Sequence, residues 1–203
     1  MSLRLYYAPH TRAARARWML EEAGLPYELV RVDMSKREHK AAEYLGIHPH
    51  GRVPALVDGT TAIHESAALC MYIADKVPEK ALAPKVGTMD RGVYYQWMVY
   101  SVATLEEPLL KVFLHTQRLS EAKRIASVAD EGRDQWRAIA KVVTDAIEGK
   151  TFLVGNQFTA ADVMIGSGLI WAEFMGLLDD QKTLQVYSAR LRGRPAYQRA
   201  SAD

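Results

Sequence analysis

Up to Val77 the chain switches between two-residue and helical periodicity in a fixed order, and that order constrains the fold more than any other feature. Leu3 to Tyr7 is a short β-prone run that stops at Ala8-Pro9. Thr11 then opens a helical pattern carrying Ala14, Trp18 and Ala23, which Gly24 ends. Tyr27 to Val32 alternates as a strand, and the spacing predicts a polar helix over 35–45, closed by Gly46. Val53 to Val57 and Thr60 to Ile63 read as two strands joined by a hairpin turn at Asp58-Gly59. Glu65 to Lys76 is helical. Two strands joined through a helix run parallel with a right-handed crossover, and the closing hairpin adds an antiparallel edge. The βαβαββα order is that of a thioredoxin-like domain.

The pattern changes over 78–87, where Pro78, Pro84 and Gly87 fall among small and charged residues, as in a linker. Beyond it only helical periodicity appears. One helix is predicted from about Thr88 to His115 with a bend at Glu106-Glu107-Pro108, and a second from about Ser120 to Ile147. A buried helix follows from Ala160 to about Met175, then shorter helices to about Ala200. At its start Thr159 is placed to cap and Asp162 to close a carboxylate form of the capping box, with Phe158 and Val163 as an apolar staple. The predicted architecture is an α/β domain over 1–77, a linker over 78–87 and an all-α domain over 88–203.

Charge and composition remove several functions. Lys and Arg exceed Asp and Glu by only 26 − 24 = 2, which gives no basic footprint for nucleic acid or an anionic membrane. Arg12, Arg15 and Arg17 share the first helix with Glu21 and Glu22, and read as a solvated face. The single cysteine, Cys70, allows no intrachain disulfide and no cysteine-rich metal site, so no metal is expected. No apolar run has the length of a membrane span. These readings point to a cytoplasmic enzyme or binding protein.

Four stretches in order carry a resemblance: Leu5-Tyr6-Tyr7-Ala8-Pro9-His10-Thr11-Arg12-Ala13; Val32-Asp33 with His39-Lys40 and Glu43-Tyr44-Leu45; His48-Pro49-His50-Gly51-Arg52-Val53-Pro54-Ala55-Leu56; and Asp58-Gly59 with Ile63-His64-Glu65-Ser66-Ala67-Ala68. In this order and spacing, and with Phe158-Thr159-Ala160-Ala161-Asp162-Val163, the chain resembles the glutathione S-transferases, of the bacterial theta-like cytosolic type. The resemblance implies that glutathione is a co-substrate, attacking small hydrophobic electrophiles as its thiolate, or reducing peroxides. It also implies a homodimer, and a second-substrate site with Trp97, Tyr100, Val102 and Trp171 as candidate walls.

Carried over residue by residue, the resemblance puts the γ-glutamyl carboxylate at Ser66 and the ligand's ammonium near Glu65. A helix start suits an anion because its backbone N–H groups are free. It implies a cis bond between Val53 and Pro54, presenting the Val53 backbone to the cysteinyl part. It also sets Arg52 and His39 toward the glycine carboxylate.

Thiolate formation needs a donor, and three hydroxyls are candidates: Thr11, with Tyr6 and Tyr7 as alternatives. The theta-class serine position falls on Ala8, which cannot donate, and the beta-class cysteine and the zeta-class Ser-Ser-Cys motif are missing. The competing expectation is a non-catalytic glutathione-binding or protein-interaction module on the same fold.

Overall fold

The computed structural model describes residues 3–202, and these form two compact units. The first runs to Ala83 and takes in the segment from Gly193 onward; the second is Pro84–Arg192.

In the first unit, β1 (Leu3–Tyr7), β2 (Tyr27–Arg31), β3 (Ala55–Asp58) and β4 (Thr61–His64) form one sheet in the order β2-β1-β3-β4. The β1–β2 pair is parallel, and β1–β3 and β3–β4 are antiparallel, as the crossover and hairpin require. Leu5 and Leu56 are fully buried. Helix α1 (Ala13–Ala23) packs against α3 (Ser66–Asp75). Gly24 ends α1 at φ 62°, the left-handed conformation that glycine adopts without a Cβ clash, and its N–H returns to Glu21 and Leu20 carbonyls.

The polar stretch predicted as one helix over 35–45 is instead a turn, a 3₁₀ turn Glu38–Lys40 and a short α2 (Ala42–Leu45). Asp33 Oδ1 caps the turn, accepting from the Ser35 and Lys36 N–H groups, and the helix is broken at Arg37, left-handed at φ 60°, and at Ala41, extended at ψ 146°.

Beyond Gly193, α9 (Pro195–Ser201) lies on α1. Arg194 makes a two-pronged pair with Glu22 (2.6 and 2.8 Å), and Arg199 reaches Glu21 at 2.7 Å. The Tyr197 ring meets Trp18 edge-on at 4.9 Å. These contacts draw the end of the chain out of the 88–203 helical domain that periodicity predicts. They also correct the solvated-face reading of α1, since Glu21 and Glu22 are engaged and Arg15 is buried (4% exposed).

The second unit is helical: α4 (Met89–Tyr100), α5 (Glu106–Phe113), α6 (Ala126–Ile147), α7 (Ala160–Phe174) and α8 (Lys182–Arg192). The helix predicted from 88 to 115 is two helices joined by a five-residue π segment, Ser101–Leu105. Pro108 follows three residues after this segment, where its missing N–H removes one backbone hydrogen bond. The core helix α7 starts with the capping box read from sequence, Thr159 and Asp162 both buried.

Candidate functional site

The strand register brings three of the sequence motifs to one end of the sheet. Ala55 opens β3 and pairs with Tyr6 near the end of β1 and with His64 at the end of β4. The Val53–Pro54 bond, the loop after Tyr7 and the Glu65-Ser66 pair therefore emerge side by side. The Val53–Pro54 bond is cis.

At the start of α3, Glu65 is exposed and held at φ 74°, ψ 112°, a conformation that side-chain-bearing residues avoid and that costs on the order of 1–3 kcal/mol. It lifts the chain so that Ser66 is the first residue of the helix, buried at 6% exposure. The Ser66 Oγ accepts from Arg15 Nη1 at 3.4 Å. A guanidinium, a hydroxyl and the free N–H groups of a helix start thus meet within a few ångströms, the donor set that recognises a carboxylate. Arg15 was not among the residues singled out by motif. Its signal lies in spacing: three and four residues before the buried Trp18 and Met19, it shares their face of α1. On the inner side of α3, Cys70 is completely buried, and burial pushes its thiol up to about 12 against the opposing pull of Arg15. Cys70 is a core residue, as read from sequence.

The loop before β3 is tied down from several directions. The Tyr44 hydroxyl donates to the Arg52 carbonyl at 2.6 Å, and burial, with Tyr6 nearby, pushes that phenol up to about 12. Lys40 Nζ donates to the His50 carbonyl at 2.8 Å. Gly51 (φ 54°) passes so close to the His39 carbonyl that a Cβ there would lie 2.2 Å from the oxygen. Arg52 itself is exposed. His39 is half-buried, and its Nδ1 is enclosed with no hydrogen-bond partner among the described residues.

The three hydroxyl candidates differ sharply. Thr11 Oγ1 donates to the Ala8 carbonyl at 2.7 Å and accepts from the Ala13 N–H at 3.3 Å, so its one proton is already engaged. Beside it, His10 is exposed at φ 56°. Tyr6 and Tyr7, being neighbours on β1, point to opposite faces of the sheet. The Tyr6 ring meets Tyr44 edge-on at 5.7 Å, whereas Tyr7 lies under the Arg17 guanidinium at 5.7 Å.

His48 opens the third motif stretch, where the resemblance gives it no role. His48 is buried at 3% exposure, with its ring 4.7 Å from that of His64 and 6.2 Å from that of His50. Its Nδ1 accepts from the His50 N–H at 3.3 Å. Burial is the main influence that lowers its pKa; His64 adds to it and the Glu65 carboxylate opposes it. Among the described residues no cluster of three or more His, Cys, Asp or Glu is arranged to hold a metal, and no helix is long and apolar enough to cross a membrane.

Comparison with known proteins agrees with this geometry at the level of the whole chain. Residues 1–75 match the family "Glutathione S-transferase, N-terminal domain", and residues 102–195 match "Glutathione S-transferase, C-terminal domain". Glutathione S-transferase GstA of Escherichia coli O157:H7 is 28% identical, over 98% of this chain and 96% of the relative. The disulfide-bond oxidoreductase YfcG of Escherichia coli K12 is 26% identical, over 95% and 91%. Among solved structures, a ternary complex of BphK, a bacterial glutathione S-transferase, superposes with a TM-score of 0.85 at 30% identity, covering 98% of this chain and 97% of that one. With both domains matched in order along a thioredoxin-like sheet and a helical unit, the chain belongs to the glutathione S-transferase family.

Proposed function

We propose that the protein is a glutathione transferase that binds glutathione at the sheet end described above and ionises its thiol for attack on small hydrophobic electrophiles. The observation that carries this reading is the buried Arg15–Ser66 contact at the start of α3. The Ser66 hydroxyl, the Arg15 guanidinium beside it and the free N–H groups of the α3 start form a donor set that suits the γ-glutamyl carboxylate. Glu65 takes the adjacent ammonium, the Val53 backbone takes the cysteinyl peptide, and Arg52 and His39 take the glycine carboxylate. Arg52 provides a forked, permanently charged donor and His39 the enclosed Nδ1.

In this reading the thiol loses its proton to solvent, and the thiolate sulfur bonds to the electrophilic carbon as a leaving group departs. Bringing a thiol pKa of about 8.5 down by about two units requires roughly 2.7 kcal/mol of preference for the anion. The N-terminus of α1 supplies part of it. We assign the rest to Thr11, whose hydroxyl turns from the Ala8 carbonyl to the sulfur when glutathione binds. The exchange gives up a neutral hydrogen bond of about 1 kcal/mol for a charge-assisted one roughly twice as strong. Tyr6 and Tyr7 are the alternatives. The protein works as a homodimer in the cytoplasm in this reading, and glutathione-dependent peroxide reduction is a second use of the same thiolate.

The test is retention on immobilised glutathione followed by conjugation of chlorodinitrobenzene and a panel of electrophiles and peroxides. Retention with no turnover on any of them selects the second reading, a non-catalytic glutathione-binding or protein-interaction module. The engaged Thr11 proton is the observation that favours that second reading.

A further inference from the structure

We propose that His48 is a positioning residue that holds the 48–54 loop in its glutathione-binding form only while its ring is neutral, so that ligand affinity falls as this imidazole protonates. The proposal rests on the reading that glutathione binds at this end of the sheet.

The geometry is specific about the proton. His48 Nδ1 accepts from the His50 backbone N–H, so the bond exists only with Nδ1 bare and, in the neutral ring, with the proton on Nε2. Adding a proton at Nδ1 sets donor against donor and breaks it. The same loop segment is closed by the Gly51 N–H on the His48 carbonyl at 2.8 Å, and the next residues are Arg52 and the Val53–Pro54 bond. His48 is therefore the pin at the root of the segment that presents Arg52 and Val53.

The surroundings of the ring oppose a charge on it. From its own loop His50 and Arg52 face it, and Lys40 reaches that loop through the His50 carbonyl. From the end of β4 comes His64, ring against ring, and after it Glu65, among the described residues the one carboxylate that acts on the group. One carboxylate set against two other imidazoles and a guanidinium does not stabilise an imidazolium at 3% exposure. The glutathione thiol, brought down by about two units on binding, titrates in this window and gives an acid limb of its own, so the probe is S-methylglutathione, which has no thiol to ionise. Its carboxyl groups ionise below about pH 4 and its amine above about 7.5. An acid limb in its affinity between about pH 5 and 7 must then come from the protein.

S-methylglutathione affinity is to be measured by calorimetry across about pH 5–7.5 for the wild type, His48→Leu and His48→Asn. Asparagine keeps an acceptor oxygen near the position of Nδ1 and cannot titrate. The wild type should weaken about tenfold from about pH 7.5 to 5. His48→Leu should be weak throughout. His48→Asn should rescue the neutral-pH affinity and be flat with pH. A flat wild-type profile, or an acid limb that persists in His48→Asn, overturns the proposal.

If the wild type binds no glutathione at neutral pH, the reading of the ligand fails, and the pin is decided on the ligand-free protein by NMR. There the His48 ring should be the Nε2–H tautomer, titrating below about 6.5, with His50 amide protection lost at the same midpoint. An ordinary midpoint, or a His50 amide indifferent to it, overturns the pin itself.

Discussion

Asp162 offers the sharpest test of the folding argument. Fully buried at the start of α7, it accepts from the Thr159 N–H (2.8 Å), the Leu153 N–H (3.0 Å), the Tyr187 hydroxyl (2.5 Å) and the Thr159 hydroxyl (3.2 Å). Asp162→Ala strands two buried backbone N–H groups and the Tyr187 hydroxyl. Each unsatisfied group costs about 1–3 kcal/mol. Against that, burial raises the carboxyl pKa, so the wild-type charge carries a desolvation cost that alanine removes. The balance is a loss of about 3–6 kcal/mol. With a urea slope of about 2 kcal/mol/M, the midpoint by circular dichroism should fall by about 1.5–3 M. Tyr187→Phe removes one donor and leaves the other three in place, so it should cost about 1–2 kcal/mol. A midpoint shift below about 0.5 M for Asp162→Ala, or a larger one for Tyr187→Phe, would refute the view that this carboxylate organises the helix start.

Four further outcomes test the first unit. Thr11→Ala should lower conjugation turnover at least about tenfold with retention on glutathione resin intact; unchanged turnover removes Thr11 from the chemistry. Ser66→Ala should raise the glutathione Kd about tenfold, the worth of one hydrogen bond to a charged group, with the fold losing about 1 kcal/mol from the broken Arg15–Ser66 bond. Glu65→Gly should stabilise the fold by about 0.5–2 kcal/mol, as relief of the φ 74° conformation outweighs the added chain entropy, yet weaken glutathione binding. Stability and affinity falling together would show that Glu65 is not strained. Cys70, its thiol held at about 12, should resist Ellman's reagent at pH ~8 until denaturant opens the first unit. Stoichiometric labelling of the native protein would contradict its burial.

How far the sequence could be read depended on whether the deciding interaction was local. The hairpin strands, the glycine stop of α1 and the Thr159–Asp162 box follow from residues within a few positions of one another; the stop and the box stand where the sequence placed them, and the hairpin stands within two residues, its turn at Gly59-Thr60 and not Asp58-Gly59. The 35–45 stretch breaks at Arg37 (φ 60°) and Ala41 (ψ 146°), backbone departures that neither residue type announces. The π segment at Ser101–Leu105 leaves no trace in a pattern of apolar residues. The Arg194–Glu22 pair joins residues far apart in the chain, and no local signal announces it. In the site, Ser66 and the Val53–Pro54 bond were legible by motif. Arg15 lies outside the motifs and His48 stands in one without a role, because an arginine among charged neighbours and a histidine in a loop both resemble surface residues until the fold buries them.

Those two buried groups belong to a wider pattern. Several described residues of the first unit that are at odds with local rules gather at one end of the sheet: Glu65 at φ 74°, His10 at φ 56°, the cis bond before Pro54, and Arg15 and His48 in the interior; Arg37 at φ 60° and Ala81 at φ 51° are further departures in the same unit. The second unit, by contrast, opens its core helix with every local preference satisfied. A folded chain tolerates such departures where surrounding structure over-determines them, and selection retains them where a ligand uses the result. The supports are present here: the Ala55 register fixes both flanking strands, Leu69 N–H holds the Glu65 carbonyl at 3.0 Å, and Tyr44 and Lys40 fasten the loop from the other side. Removing a support should therefore cost ligand affinity before it costs the fold. Tyr44→Phe, which frees the Arg52 carbonyl while keeping the ring, should weaken glutathione several-fold and move the urea midpoint by less than about 0.5 M. The reverse ranking, a destabilised fold with affinity unchanged, would mean that this end of the sheet is ordinary core and that the binding residues lie elsewhere.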